Sequence, residues 1–576
     1  MLQAPTVKTR SSQAADRNLG AQEVAQLLRE IGRRALLEGG NPYKAKAYLR
    51  AADSLRALMM PLAEAVERDK LKDIPGIGDA IAQRITDLHR HGTDPWLERL
   101  RKNVPGSLPD LLAIPRLTPT NIIKLHKLLG VTSIEELERA CRDGTVQCTK
   151  GLGFALQKKI LQGIELARGG EDRLRMNRAQ EVIEQVIVEL RASRPELSDL
   201  TIAGDLRRGC DVISDLTLVA TSAATSTIVQ ESTRAVSLYI TPASRRGVAL
   251  LYATGNAAHV ARLEAVARSK GLHLAPSGFR KGAKDLRMDT EGVIYKALGL
   301  AEVPPELREG TDEIALARRG KLPRLVHQED LKGLLHIHTT FPDGMHTLEE
   351  MAEAARSRGY CYLGISDHSQ SAHYAGGLSV SAIIEQHGQI NNLNRRYHGR
   401  FCVLKGIESD IRADGSLDYP DDVLKRFDFI VASVHSLFKL DRNAQTQRML
   451  TAIANPYTTI LGHPTGRLLL RRPGYEIDME AILSACAKYG VAAEVNCNPN
   501  RLELDWRWHR RALELGCWLS INPDAHSTRE LDLPKWGTAI ARKGGVSPSR
   551  VLNCLSLPQL RKRFRMRPHQ NARVLE

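Results

Sequence analysis

The feature that most constrains this chain is a series of short apolar segments, each followed at once by a histidine or a carboxylate. Leu334-Leu335-His336-Ile337-His338 comes first, with Asp343 in the loop beyond it. Gly364-Ile365-Ser366-Asp367-His368 and Gly406-Ile407-Glu408 follow, then Phe429–Val434 ending in His435 and Thr459–Gly462 ending in His463. Trp518–Asn522 leads into Asp524 and His526. On a strand, residues i and i+2 share a face, so His336 and His338 can point into one site. An isolated His-x-His pair is common on a solvated strand. Six segments ending in imidazole or carboxylate donors point instead to a multinuclear metal centre.

Between these segments, Leu348–Arg358 and Asp478–Tyr489 carry apolar residues at helical spacing. Alternating strands and helices with chemistry at the strand C-termini predict a (β/α) barrel whose site lies on one face. The residues resemble the polymerase-and-histidinol-phosphatase (PHP) family of metallo-phosphoesterases over residues 331–576, and the resemblance implies a distorted (β/α)7 barrel. It implies nine ligands for three divalent ions: His336, His338, Asp343, His368, Glu408, His435, His463, Asp524 and His526. Glu408 would bridge, with His336, His338 and Asp524 on one ion, His435 and His463 on another, and Asp343, His368 and His526 on the third. Leu335 and Pro342 depart from the family pattern without removing a ligand. Manganese or zinc suits the donors, and iron is compatible. Catalytic roles fall to His336, His338, Glu408 and Asp524. Arg467, four residues after His463, is read as a phosphate clamp with Arg471 and Arg472 nearby. Glu494 and Asn496 end a further apolar strand and are read as supports for the ligands.

A chain of 576 residues exceeds a single core, and a net charge of +16 points to a polyanionic partner such as nucleic acid. Nine cysteines without a C-x-x-C pair argue against a disulfide framework or zinc finger and for a reducing cytoplasm. No apolar run is long enough to span a membrane, and no leader opens the chain, so no membrane partner is expected. Residues 1–18 are polar and are read as a disordered tail.

Residues 19–105 and 106–171 read as helical. Leu71–Ala82 contains Pro75-Gly76-Ile77-Gly78, where glycines let backbone N–H groups approach a phosphate ahead of a helix N-terminus. This resembles the helix-hairpin-helix motif, which grips DNA backbones without reading sequence. Lys150-Gly151-Leu152-Gly153 repeats the pattern, with Lys158 in the following helix, whereas Ile114–Pro119 lacks the glycines and is expected only to pack.

The order of segments resembles the bacterial family X DNA polymerases, which join a polymerase core to a PHP domain, over nearly the whole chain. That resemblance implies a nucleotidyltransferase palm and thumb over 172–315, a linker over 316–330, and a multidomain α+β and α/β protein. The palm signature reads Gly204-Asp205-Leu206-Arg207-Arg208-Gly209 and Ser214-Asp215-Leu216-Thr217. Asp215 stays, but Thr217 and Ser237 stand where two further metal-binding carboxylates belong, and Asp205 replaces a serine near Arg208. Two-metal phosphoryl transfer needs clustered carboxylates, so little magnesium binding is expected at such a palm. Arg84 stands where the family has a Schiff-base lysine, and arginine cannot form the imine. The basic run Arg561–Arg567 is read as a DNA-contacting tail outside the fold.

The expectation is a monomeric, cytoplasmic, nucleoid-associated phosphodiesterase acting on gapped, nicked or 3′-ended DNA. It would work as a 3′→5′ exonuclease in repair, with little polymerase activity. A gap-filling polymerase and a non-catalytic DNA-binding scaffold are the alternatives. A small-molecule phosphatase would leave the helical unit unexplained.

Overall fold

The computed structural model describes residues 18–39, 41–56, 62–74, 77–114, 117–168, 173–232 and 236–565. Residues 1–17 of the tail expected over 1–18, together with Pro75, Gly76, Pro115, Met566 and Arg567, lie outside the described residues. The chain forms two compact units, residues 1–171 and 172–576.

The first unit is helical and holds two apolar cores. Val24, Leu28, Tyr48, Ile81, Ile85 and Leu97 belong to one, and Leu111, Ile122, Leu125, Leu137 and Ile160 to the other. Gly78 precedes the helix Asp79–His91, and Asp94 caps Pro95–Asn103 by accepting from the backbone N–H groups of Trp96 and Leu97.

The second unit opens with the helix Met176–Ser193 and a four-stranded sheet. Strand β1 (Ser198–Ala203) runs antiparallel to β2 (Leu216–Thr221), and β2 runs parallel to β4 (Val236–Thr241). Strand β3 (Val229–Ser232) pairs antiparallel with β4 at the edge. The helices Arg246–Thr254 and Ala257–Ser269 and a small antiparallel sheet over 272–285 complete this half.

Seven parallel strands then follow in sequence order. They are β5 (Gly333–Ile337), β6 (Tyr362–Ile365), β7 (Cys402–Asp410), β8 (Phe429–Ser433), β9 (Ile460–Leu461), β10 (Ala492–Asn496) and β11 (Trp518–Asn522). The end of β5 meets the segment after β11 through a parallel bridge between Ile337 and Ala525, which nearly closes the barrel. The strands are buried almost throughout, as parallel strands covered on both faces must be. Gly364 and Gly406 are needed for packing, because a Cβ on either would come within 2.6 Å of the Phe429 ring. Helix α1 (Leu348–Ser357) starts in a capping box. The Thr347 hydroxyl accepts from the Glu350 N–H, and the Glu350 carboxylate accepts from the Thr347 N–H.

Residues 561–565 of the basic C-terminal run are part of the fold, contrary to its reading as a tail. Leu557–Arg565 is a helix whose Leu560 and Phe564 are buried with Leu335, Tyr362, Leu404, Phe429 and Ile460 of the barrel. Arg563 lies over the Trp518 ring. The apolar positions 560 and 564 are four apart, on one helix face. Their signal is masked in sequence by the five basic residues among 561–567.

Candidate metal centre

Glu408, at the end of β7, is the hub of the site. Its Oε1 lies 3.2 Å from His336 Nε2, 3.0 Å from His463 Nε2 and 3.3 Å from His435 Nε2. Its Oε2 lies 2.9 Å from His368 Nδ1 and 3.7 Å from His338 Nε2. Asp524 Oδ1 stands 3.2 Å from His338 Nε2 and 3.6 Å from His336 Nε2. Asp343 faces His338, His368 and His526 at 3.6–3.9 Å. The nine side chains singled out in the sequence thus converge at the C-terminal ends of the strands.

Donor atoms close enough to share an ion form three sets: His336, His338 and Asp524; His368, Glu408 and His435; and His338, Asp343, His368 and His526. His338 and His368 each belong to two sets, and a neutral imidazole, with one lone pair, can serve an ion in only one of them.

The local backbone also departs from a plain pleat. His336 has φ +63° at a register shift in β5, and Asp524 has φ +53°. Left-handed backbone at non-glycine residues costs about 1–3 kcal/mol each and persists only where surrounding contacts hold it. Glu494 supplies such a contact. Its Oε1 lies 2.6 Å from His336 Nδ1, and its Oε2 accepts from the His463 N–H at 2.7 Å. Asn496 donates to both Glu494 and Asp524. Both residues therefore support the ligands, as their place at the end of β10 suggested.

Two further supports had no role assigned from the sequence. Asp410 Oδ1 lies 2.5 Å from His435 Nδ1, which leaves Nε2 turned toward Glu408. Asp367 accepts from the Thr339 N–H and hydroxyl and from Gln386, so it anchors the turn after His338. Asp410 follows Glu408 at i+2, a strand spacing that places both carboxylates on one face and could have revealed it.

The electrostatics suit cation binding. Burial is the largest influence on the Glu408 and Asp524 carboxyls and pushes them up, yet the surrounding imidazoles hold both well below the usual carboxylate range. Burial, with His526 and His368 adding to it, pushes His338 down to about 3, leaving a neutral ring with one lone pair to offer. Both ring nitrogens of His338, Nε2 of His336 and Oε2 of Glu408 are buried without a protein hydrogen bond. Such atoms are costly unless something satisfies them, and imidazoles interleaved with carboxylates suit divalent transition metals. The residues present fit a metal cluster.

Arg467 is not a free phosphate clamp. It pairs with Asp505 at 2.7 Å and with Asp211 at 3.1 Å, and donates to the carbonyls of Arg501 and Leu502. It ties the turn between β1 and β2 to the loop after β10, and the sequence could not show this because its partners are remote. Lys543 with Glu309, and Arg542 with Glu306 at 2.6 Å, join the same two halves.

A helix-hairpin-helix domain model matches residues 20–94, and a DNA polymerase beta thumb model matches residues 249–309. The DNA polymerase/3′-5′ exonuclease PolX of Bacillus subtilis (strain 168) is 33% identical over 563 residues, which cover 93% of this chain and 98% of that protein. This chain belongs to the PolX family. Its C-terminal region is similar to a probable phosphatase of Thermoanaerobacter sp. (strain X514), at 27% identity over 39% of this chain and 91% of that protein. A probable phosphatase of Shigella flexneri, YcdX, is 28% identical over 38% of this chain and 92% of its own length.

In this PolX chain the residues read as the palm signature surround a pair of parallel strands. Thr217 on β2 and Ser237 on β4 are paired neighbours on adjacent parallel strands, and Asp215 is exposed just before β2. The arginines are already engaged. Arg207 binds Glu291 at 2.6 Å and the Thr254 hydroxyl at 2.8 Å. Arg208 binds Asp205 at 2.5 Å, Glu309 at 3.0 Å and the Thr254 carbonyl at 2.7 Å. Asp205 also accepts from the Ser214 N–H, so it closes the signature turn internally. In the helical unit, Arg84 pairs with Asp94 and stacks on Trp96.

Among the glycines read as DNA contacts, Gly76 lies outside the described residues. Gly151 and Gly153 have φ +90° and +78°, so glycine is required there by backbone conformation, and Lys158 is exposed on the helix Phe154–Arg168. Gly78 has φ −94°, and a Cβ there meets no atom within 4 Å. Gly78→Leu is therefore expected to leave the fold intact and to weaken binding of unrelated duplexes equally. The slope of log affinity against log salt should fall by about 0.9 for each phosphate that the variant no longer grips. Salt titration of both proteins measures it, and unchanged affinity and slope would assign the grip elsewhere.

Proposed function

We propose that this chain is a metal-dependent DNA phosphodiesterase that shortens 3′ ends in repair, with nucleotide addition by the palm negligible. The observation that carries this reading is the convergence of nine imidazole and carboxylate side chains on one barrel face, next to a palm that keeps only Asp215 of its carboxylates. The 3′-5′ exonuclease named in the Bacillus subtilis relative supports the polarity. The polymerase in that name is not carried over, because Thr217 and Ser237 are neutral and Arg207 and Arg208 are already paired. Manganese or zinc, in up to three sites, remains the proposed cofactor. DNA held through the helix-hairpin-helix unit is the proposed partner, and a monomer in the cytoplasm the proposed setting. Among the described residues, no helix is long and apolar enough to cross a membrane.

His336, His338 and Asp524 would hold one ion, His435 and His463 a second, and Asp343, His368 and His526 the third, with the Glu408 carboxylate among them. Bound ions of this kind neutralise charge on the phosphoryl group and lower the pKa of water. Glu494 and Asp410 fix the ring orientations of His336 and His435, so each presents Nε2 to the site. Asp367 keeps the His338 turn in place.

The test is digestion of 5′-labelled gapped and 3′-recessed DNA with Mn²⁺ or Zn²⁺. A ladder of shortened labelled products, abolished by chelator, is expected. Full-length DNA with either metal, or early release of the 5′ label as mononucleotide, would overturn the reading.

A further inference from the structure

The loop after β10 is tied at both ends to segments that carry residues of the metal centre, and it carries Arg501. Asn496, at its start, is hydrogen-bonded to Asp524. Glu503, at its other end, accepts from the N–H of Thr465, two residues after His463. A turn between them, with the Arg501 N–H donating to the Asn498 carbonyl, sets Arg501 between these two anchors.

Neighbouring arginines serve the scaffold. Arg467 is used by two aspartates and two carbonyls, and Arg472 donates to the Gly466 carbonyl. Arg501 differs. Among the described residues its guanidinium makes no side-chain hydrogen bond, and its sole ion pair is a long one of 3.6 Å to Glu503. Its side chain is 21% exposed, largely enclosed but in reach of solvent. The charges acting on it are those of the centre. Burial is the largest influence and works against its cation, and Asp524, Glu503, Glu408 and Glu494 oppose that effect. Five donors with so little protein engagement, on a loop tied to Asp524 and to the segment after His463, suit a bidentate phosphate contact.

We propose that Arg501 is a substrate-binding residue that holds non-bridging oxygens of the phosphate at the metal centre. This rests on the metal-dependent phosphoesterase reading above. A competing role is charge balance alone, with Arg501 serving as counter-ion to Glu503 and Asp524. The two roles differ in what removal of the guanidinium changes.

The test uses full-length protein loaded with metal, in wild-type, R501M and R501K forms. Three quantities are read: bound metal by elemental analysis, the rise in Tm caused by inorganic phosphate, and kcat and KM for 3′ shortening of DNA. R501M is expected to keep its metals, to lose the phosphate-dependent rise in Tm, and to show kcat reduced about 10²-fold, as when one charge-stabilising donor is removed from an active site. R501K should recover only a minor part, because an ammonium cannot reproduce the fork. Loss of metal by R501M would mark Arg501 as a counter-ion and overturn the contact. So would wild-type phosphate response and turnover in either variant. If R501M folds poorly, R501K decides on the same readouts. A wild-type protein that binds no metal and leaves DNA intact would overturn the site reading itself, a result visible before any variant is compared.

Discussion

Full-length protein with both His336 and His338 replaced by alanine is expected to lose DNA hydrolysis while binding duplex DNA as the wild type does. Removing both takes two imidazoles from the set with Asp524 and one from the set with Asp343, His368 and His526. Two of the three donor groups are broken at once. Metal assistance is worth several kcal/mol in phosphoryl transfer, and each 1.4 kcal/mol is about tenfold in rate, so the loss should reach about 10³-fold or more. DNA affinity should hold because the helix-hairpin-helix unit lies in a separate part of the chain, residues 20–94. The measurement pairs a 5′-label digestion assay with a binding titration under chelator. Hydrolysis persisting near the wild-type rate would remove this centre from the mechanism.

Primer extension across a one-nucleotide gap is expected to be undetectable with Mg²⁺ or Mn²⁺ in that same double variant, and Thr217→Asp should not restore it. A palm that moves a phosphoryl group between two cations needs carboxylates on adjacent strands to hold them. Here the paired positions on β2 and β4 are Thr217 and Ser237. Restoring one leaves the other neutral. The second obstacle is independent of metals. Arg208 is closed by Asp205, Glu309 and the Thr254 carbonyl, and Arg207 by Glu291, so neither can turn to a triphosphate without breaking an ion pair. Each missing charge-stabilising group costs about 10²–10³ in rate, so the combined deficit spans many decades. Robust dNTP-dependent extension by the double variant would overturn this account of the palm.

Most of the barrel was legible because its signals are local. Parallel strands buried on both faces read as apolar runs, and ligands at strand ends follow them directly, so one pass along 334–526 recovers the nine converging side chains. Glu494 and Asn496 were recoverable for the same reason, as the ends of β10. What was misread shares one cause. Arg467 follows His463 closely in sequence, which suggested a phosphate contact, but its charge is spent on Asp211 and Asp505. Arg561–Arg565 looked like a charged tail, because the burial of Leu560 and Phe564 depends on Leu335 and Phe429 far upstream.

By itself, the sequence determined which donors stand at the strand ends and that a helical unit with glycine turns precedes them. These are properties of residue type and short-range period. Only the tertiary structure decided which donor atoms come within reach of one another, that His336 enters the site through a left-handed bulge held by Glu494 158 residues away, and that Arg207 and Arg208 are bound internally. It also decided that Arg501 keeps an almost unengaged guanidinium beside the carboxylates. The reason is physical. Whether a charged side chain is available for chemistry depends on every group that can reach it in space, and for these residues most of those groups are distant in the chain.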